Sequence, residues 1–202
     1  MSICITIAHD FVCPWCWIGH KQAQKLQKEF GVEIDWRGYQ LFPDELEWPE
    51  PSAPTPENPD RPKVPNRLDL MLMLEGLTYP SNKFVGRMRT HKAHEAVEFA
   101  KTVGKADEMI EALYDAYWLN GIEIDKIEHL TEVVRAVLGD PTECMQAVAN
   151  KQFAAEIVGF DDPAYAKGVY NVPTFWIDGK RYAEQPYFVL SAAVKEMLAT
   201  PV

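Results

Sequence analysis

The sequence has neither a long apolar run nor a concentration of basic residues. No segment approaches the about 18 consecutive apolar residues of a transmembrane helix, so we expect no membrane partner. Acidic side chains outnumber basic ones, 30 to 20, and the formal net charge is -10. Because phosphate contacts need clustered Lys and Arg, we also expect no nucleic-acid partner.

A secretory signal is also missing, and cysteine is scarce. The first residues, MSICITIAHD, carry no basic n-region and no small-residue cleavage site. Either a leader has been removed or the chain works in the cytoplasm, and the Met1 start favours the cytoplasm. Four cysteines in a reducing compartment are not expected to form structural disulfides. Cys4 and Cys144 stand alone and are expected to be buried apolar residues, whereas Cys13 and Cys16 lie close together.

The first forty residues predict a strand, a helix and a second strand. ICITIAHDF predicts a buried strand over about residues 3 to 8. CPWCWIGHKQAQKLQKEFG predicts a helix with Pro14 in its first turn and Gly31 at its end. VEIDWRGYQ alternates apolar and polar residues, as a half-buried strand does. A connection of this length predicts a right-handed parallel crossover.

The rest of the chain has three segments with different sequence patterns. Seven prolines between positions 48 and 66 predict an extended loop. From Asn66 to about Phe160, apolar residues recur at helical spacing, with helix caps predicted at Asn66, Thr90 and Asp140. VPTFWIDGKRYA then predicts a β-hairpin with an Asp-Gly turn, and QPYFVLSAAVKEML predicts an amphipathic helix.

This order of elements predicts an α/β protein with a thioredoxin-like fold and a large all-helical insertion. The thioredoxin-like domain is expected to comprise residues 1–48 and 161–202. A proline-rich connecting loop is expected over residues 49–65, and the helical insertion domain over residues 66–160.

Cys13 and Cys16 form a CPWC motif at the predicted strand-to-helix junction. Unpaired N–H groups and the macrodipole at a helix N-terminus stabilise a thiolate on the first cysteine, and the second can then resolve a mixed disulfide. Two other interpretations are half of a zinc site and two inert buried residues. Zinc needs about four ligands, and no second CxxC exists, although His91 and His94 are spaced for one helix face. We favour the redox interpretation and expect no metal.

The segment YNVPTFW supplies a second element of a redox site. Val172, Pro173 and Thr174 directly precede the hairpin, in the manner of a cis-proline loop that leaves the Val172 backbone open to an extended partner. Val172, Thr174 and Trp17 are therefore candidate substrate-binding residues. Trp15, Trp17 and Trp176 are candidates for the rim of a peptide groove, with ordinary packing as the alternative.

Pro14, Trp15 and Asp10 are candidate supporting residues. Pro14 and Trp15 separate the two cysteines, and Asp10 lies just before the motif. A helix cap or loop carboxylate is the simpler role for Asp10, and a proton relay to Cys16 is the alternative.

Together these stretches resemble the DsbA family of the thioredoxin fold, nearest its FrnE-like branch. DFVCPWCWIG, RTHKAHEAVEFAK and VPTFWIDG carry the resemblance, which covers nearly the whole chain. The resemblance implies a dithiol-disulfide oxidoreductase with Cys13 as nucleophile, Cys16 as resolving thiol and Pro173 as the cis-proline. It implies protein or small-molecule thiols and disulfides as partners. No cofactor is implied beyond the redox-active disulfide, with glutathione as a candidate thiol.

Two other functions remain as alternatives. The resemblance extends to 2-hydroxychromene-2-carboxylate isomerases and kappa-class glutathione transferases, which implies glutathione-dependent isomerase or transferase chemistry on the same fold. Those relatives usually carry serine in place of Cys13 and lack the second cysteine, so the presence of both thiols argues against this chemistry. The other alternative is a non-catalytic module whose helical insertion clasps a partner protein.

The reduction potential of the Cys13–Cys16 pair tests the effect of Trp15. Periplasmic DsbA has a histidine at this place, and its loss removes one source of thiolate stabilisation. We therefore expect a less oxidising pair than that of DsbA, with a potential below roughly -120 mV when equilibrated against glutathione redox buffers. A potential at or above that value contradicts the expectation.

Overall fold

A five-stranded mixed sheet with helices packed against it organises the chain in the computed structural model. The described residues are 3–44, 47, 65–80, 88–159, 169 and 171–199. Their strands are Cys4–His9 (β1), Glu33–Gln40 (β2), Val158–Gly159 (β3), Thr174–Ile177 (β4) and Lys180–Ala183 (β5). Their α-helices are Pro14–Phe30 (α1), Arg67–Glu75 (α2), His91–Thr102 (α3), Ala106–Tyr114 (α4), Ile127–Leu138 (α5), Thr142–Ala149 (α6) and Tyr187–Ala199 (α7).

The sheet has the strand order β3-β2-β1-β4-β5. Strands β1, β2 and β3 are parallel neighbours, and β4 runs antiparallel to both β1 and β5. The turn between β4 and β5 has positive φ at both Asp178 (51°) and Gly179 (71°), which is the geometry of a tight hairpin turn. The predicted thioredoxin-like α/β fold, with helices inserted between β2 and the hairpin, is confirmed.

One face of the sheet carries the core beneath the cysteine motif. Ile7 pairs with Trp36 and His9 with Gly38, so these residues share a face. Helix α1 reaches this face through His20, whose ring centroid lies 5.9 Å from that of Trp36. Helix α3 reaches it through His94, which packs directly on Gly38. The first helix and the insertion therefore cover the same side of β1 and β2.

Several predicted helix ends are confirmed. Helix α1 ends at Gly31, which adopts a left-handed conformation (φ 66°) and donates its N–H to the carbonyl of Gln27. Helix α2 begins with a reciprocal capping box between Asn66 and Asp69 and ends at the left-handed Gly76. These ends depend only on neighbouring residues of the chain.

Other parts of the helical prediction are right only in part. Thr90 is the N-cap residue of α3, as predicted, but its side chain makes no capping hydrogen bond. Asp140 accepts the N–H of Thr142, so its cap serves a helix that begins one residue later than predicted. Residues 154–159 form a 3₁₀ turn and strand β3. Their short apolar run suits a strand as well as a helix, and it pairs with the edge of β2.

The remaining expectations have mixed outcomes. Cys144 is fully buried, but Cys4 is exposed, so the prediction of burial is wrong for Cys4. The predicted proline-rich loop, residues 49–65, lies outside the described residues apart from Pro65. Among the helices that the structure describes, none combines the length and apolarity that crossing a membrane requires.

The buried carboxylate of Glu75 joins three helices. It accepts hydrogen bonds from the Gln22 side chain of α1 (2.9 Å) and from the Tyr187 backbone at the start of α7 (2.6 Å). Lys25 of α1 lies 3.3 Å from its other oxygen. The carboxylate therefore satisfies donors that would otherwise be buried without a partner.

Replacing this carboxylate should destabilise the fold. Glu75→Ala leaves the Tyr187 N–H unpaired, together with one N–H of Gln22, whose amide keeps its hydrogen bond to the Gln185 carbonyl. We expect the free energy of unfolding to fall by about 2 to 4 kcal/mol in urea denaturation. Glu111→Ala is a matched control, because the side chain of the exposed Glu111 accepts a hydrogen bond from the half-buried Gln24 in the described structure. Its expected effect is below about 0.5 kcal/mol. Equal effects of the two substitutions would contradict the role of Glu75.

Candidate active site

Cys13 is the N-cap residue of α1. Its backbone is extended (φ -83°, ψ 119°), and Pro14 takes the first helical position, where a missing N–H costs nothing. No acidic residue lies in the first turn, and no side chain caps it. The Cys13 sulfur therefore faces the partial positive charge of the helix N-terminus without a competing carboxylate in that turn.

The loop before β4 lies against this first turn. The Cys13 thiol is 3.6 Å from the carbonyl oxygen of Val172, and the peptide bond between Val172 and Pro173 is cis. Pro173 packs on Gly19 of α1, where an added Cβ would lie 3.0 Å from the proline ring. Glycine at this helical position lets the loop approach the helix closely.

Cys16 lies one turn further along α1 and is almost fully buried, with 1% of its surface exposed. Its sulfur accepts the backbone N–H of Asp10 at 3.4 Å. Burial raises the pKa of the Cys16 thiol well above its ordinary value, and a hydrogen bond and the charge of Cys13 raise it further. Cys16 is therefore held as a neutral thiol in contact with Cys13.

Asp10 is a buried loop carboxylate and not a helix cap. Its Oδ2 atom accepts the backbone N–H of Leu41 at 2.7 Å. Its Oδ1 atom lies 3.5 Å from Nε2 of His94. Its charge also contributes to the raised pKa of the Cys16 thiol. The sequence indicated a carboxylate near the motif, and the structure places the backbone of that residue in contact with Cys16.

The helical insertion contacts the end of β1 and the loop that follows it through two aromatic residues that the sequence did not single out. Tyr114 lies at the end of α4, and its hydroxyl is 3.0 Å from Nδ1 of His9. Trp118 donates its indole N–H to the carbonyl of Phe11 at 2.8 Å. Trp118 lies in a π-helical turn, Asp115–Leu119, which ordinary helical periodicity does not reveal.

The side chains predicted to bind substrate lie deeper than expected. Thr174 is fully buried, and its hydroxyl donates to the carbonyl of Asn171 at 2.5 Å. Trp17 is also buried and packs near Tyr79 and Trp118. Burial makes both side chains part of the packing beneath the site, so neither is open to a substrate.

The other two tryptophans lie apart from each other. Trp15 is partly buried, and the Arg67 guanidinium lies 4.7 Å from its ring centroid. Trp176 lines a cavity of about 550 Å³ together with Thr6, Asp35 and Lys101, on the sheet face opposite His9 and Trp36. A shared groove rim of Trp15, Trp17 and Trp176 is therefore wrong.

The two histidines considered as metal ligands turn to different partners. Nε2 of His91 lies 3.3 Å from the Glu95 carboxylate, whereas His94 faces Asp10. Over the part of the chain that the structure describes, no group of three or more His, Cys, Asp or Glu residues is arranged to hold a metal ion.

Comparison with known proteins identifies relatives across almost the whole chain. The family model of the DSBA-like thioredoxin domain matches residues 5–198. The cytosolic disulfide reductase DsbM from Pseudomonas aeruginosa has a TM-score of 0.65 and 18% identity, covering 96% of this chain and 100% of that one. DsbM has also been solved with GSH.

Two further solved structures show the same fold. A probable DsbA oxidoreductase from Streptomyces coelicolor has a TM-score of 0.60 and 22% identity, covering 100% of this chain and 93% of that one. A 2-hydroxychromene-2-carboxylate isomerase has a TM-score of 0.61 and 15% identity, covering 97% and 96%. At these identities the structural likeness extends to the fold, and the chemistry has to be argued from the residues.

Two buried histidines should make stability depend on pH. Burial, with the nearby charges of His94, His20 and Lys101, lowers the pKa of His9 well below its ordinary value. Burial and the charge of Lys21 lower the pKa of His20 to about 3. The unfolded chain binds protons at both histidines below about pH 6.5, whereas the fold excludes them. Stability is therefore lost as pH falls through about 6.5.

A His20→Phe variant isolates one of these contributions. Phenylalanine preserves the stacking of residue 20 on Tyr114, whose ring centroid lies 4.7 Å away. We expect the decline in unfolding free energy below about pH 6.5 to be shallower by up to about 1.4 kcal/mol per pH unit. Denaturant titrations at a series of pH values measure this slope. Identical slopes for the variant and the wild type would show that His20 takes up no proton on unfolding.

Proposed function

We propose, since this chain belongs to the DSBA-like thioredoxin domain family, that it is a dithiol-disulfide oxidoreductase acting through Cys13 and Cys16. The observation that carries the proposal is the contrast between the two sulfurs. Cys13, with 6% of its surface exposed, lies at a helix N-terminus beside the Val172 carbonyl, and Cys16, with 1% exposed, lies one turn further along with a raised thiol pKa. Cys13 is therefore the proposed nucleophile, and Cys16 is the proposed resolving residue, which stays a neutral thiol until the second exchange.

The reaction would proceed in two exchanges. In the first, the Cys13 thiolate attacks a substrate disulfide, forms a mixed disulfide and releases one substrate thiolate. In the second, Cys16 loses its proton and attacks the Cys13 sulfur, which releases the other substrate thiolate. Two electrons pass from the protein dithiol to the substrate disulfide. An oxidised Cys13–Cys16 pair accepts two electrons from a substrate dithiol by the reverse sequence.

The loop of Val172 and Pro173 is the proposed contact for the substrate backbone. The Val172 carbonyl already lies within 3.6 Å of the Cys13 sulfur. An extended substrate that pairs with the Val172 backbone would bring its own disulfide to Cys13. We assign this contact to the backbone of the loop, because the Thr174 hydroxyl is already held by the Asn171 carbonyl.

Glutathione is the proposed small-molecule thiol, and the cytoplasm is the proposed compartment. DsbM, which shares the fold, is described as cytosolic and has been solved with GSH. The alternative of glutathione-dependent isomerase or transferase chemistry is favoured by the fold shared with 2-hydroxychromene-2-carboxylate isomerase. Glutathione binding and turnover by a Cys16→Ser variant separate the two, because only the oxidoreductase needs the second thiol.

Two cysteine variants test the proposed function. Cys13→Ser should abolish turnover of insulin disulfides, because no nucleophile remains at the helix N-terminus. Cys16→Ser should accumulate a mixed disulfide through Cys13, because the resolving thiol is missing. Intact-mass spectrometry detects that adduct, and Cys144→Ser is a matched control at a buried cysteine away from the motif. If Cys13→Ser reduces insulin like the wild type, the redox assignment fails and a binding module is favoured.

A further inference from the structure

His94 lies directly beneath the cysteine loop and faces Asp10. Its side chain is 1% exposed, and its Nε2 atom lies 3.5 Å from Oδ1 of Asp10. Its ring stacks on Phe11 with centroids 4.7 Å apart. Neither Nε2 of His94 nor Oδ1 of Asp10 has a hydrogen-bond partner within the described residues. Nε2 of His94 and Oδ1 of Asp10 therefore face each other as two buried polar atoms.

The backbone makes room for this histidine. At Gly38 of β2, an added Cβ would lie 2.8 Å from Cγ of His94 and 2.9 Å from its Nδ1. A real Cβ atom essentially never lies this close to another heavy atom, so any larger residue at Gly38 would displace the ring. The position of His94 thus depends on a strand residue as well as on its own helix.

Asp10 connects this histidine to the resolving thiol. Its backbone N–H contacts the Cys16 sulfur, and its Oδ2 atom is occupied by the N–H of Leu41. Oδ1 is the carboxylate oxygen left to accept a proton. A carboxylate buried to this extent needs a partner to keep its charge and its orientation.

We propose that His94 is a positioning residue for the second exchange, which holds Oδ1 of Asp10 as the acceptor of the Cys16 proton. The proposal rests on the proposed oxidoreductase function. Burial and the neighbouring charges raise the pKa of the Cys16 thiol, so little thiolate forms unless a nearby base takes the proton. His94 fixes the direction in which that base points.

In the second exchange, proton transfer from Cys16 precedes attack on the mixed disulfide. The Cys16 proton passes to Asp10, and the resulting thiolate attacks the Cys13 sulfur of the mixed disulfide. The Cys13–Cys16 bond forms, the bond from Cys13 to the substrate sulfur breaks, and its electron pair leaves with the substrate thiolate. Asp10 then returns the proton to that thiolate or to water.

Other ionisable groups surround the pair and remain in place in the test. They are His9 of β1, Cys13, Cys16 and His20 of α1, Lys101 of α3, Tyr114 of α4 and Tyr117 of the π-helical turn. His20 serves as the comparison with His94, because it is also a buried histidine but its ring stacks on Tyr114.

Single-turnover exchange with dithiobisnitrobenzoate separates the two steps. The reduced protein should release one coloured thiolate when Cys13 attacks and a second when Cys16 resolves the adduct. The exposed Cys4 is replaced in all variants by Cys4→Ser so that it does not contribute. Stopped-flow absorbance from about pH 6 to about pH 9 gives the rate of each release.

We expect the second release to depend only weakly on pH in the wild type, because the base is internal. In His94→Leu it should be slower by about tenfold or more at about pH 6 and should rise by up to about tenfold per pH unit, as hydroxide takes over. Gly38→Ala should produce the same change without altering an ionisable group. His94→Gln, which can direct an N–H at Asp10, should recover part of the rate.

His20→Phe is the control for the loss of a buried histidine, and its second release should follow the wild type. The first release should be unchanged in every variant. If His94→Leu and Gly38→Ala match His20→Phe in rate and pH profile, the role of His94 is overturned while the proposed function stands. If the wild type shows no release through Cys13, both proposals fail.

Discussion

The end of β1 and the loop that follows it bury polar groups, and the arrangement of the site depends on the partners that those groups find. Buried polar groups destabilise a fold unless they find partners. His9 meets Tyr114, and the carbonyl of Phe11 accepts the indole N–H of Trp118, at chain separations of 105 and 107 residues. The helical insertion is therefore not an appendage to the sheet. It supplies the partners that let the loop deliver Cys13 to the start of α1.

The same burial gives the two sulfurs different environments. Cys13 lies at the helix N-terminus, where the macrodipole favours negative charge. Cys16 lies one turn deeper, where burial favours the neutral thiol. Because the sulfurs are in contact, charge on one further disfavours charge on the other. A single loop and a single helix turn thus give the two sulfurs the different environments that the proposed nucleophile and resolving thiol need.

The sequence predicts those features that depend on neighbouring residues. Gly31 ends α1, and Asp178 and Gly179 turn the hairpin, because these conformations are decided within a few residues. Contacts between residues far apart in the chain cannot be predicted in this way. Helical spacing placed His91 and His94 near each other, but nothing in that spacing assigns one to Glu95 and the other to Asp10. The burial of Thr174 and the π-helical turn escape sequence reasoning for the same reason, since each is decided by tertiary packing.

The fold by itself does not select between redox and isomerase chemistry, because relatives of both kinds share it. The discriminating feature is the environment of the second cysteine. A transferase that uses a glutathione thiolate never removes a proton from Cys16, so in such an enzyme Asp10 would serve only the fold, through its hydrogen bond to the Leu41 N–H. An oxidoreductase must remove that proton in every turnover, against a raised thiol pKa. Burying Asp10 opposite His94 is costly in folding free energy, and the proposed oxidoreductase chemistry gives that carboxylate a use beyond its hydrogen bond to the Leu41 N–H.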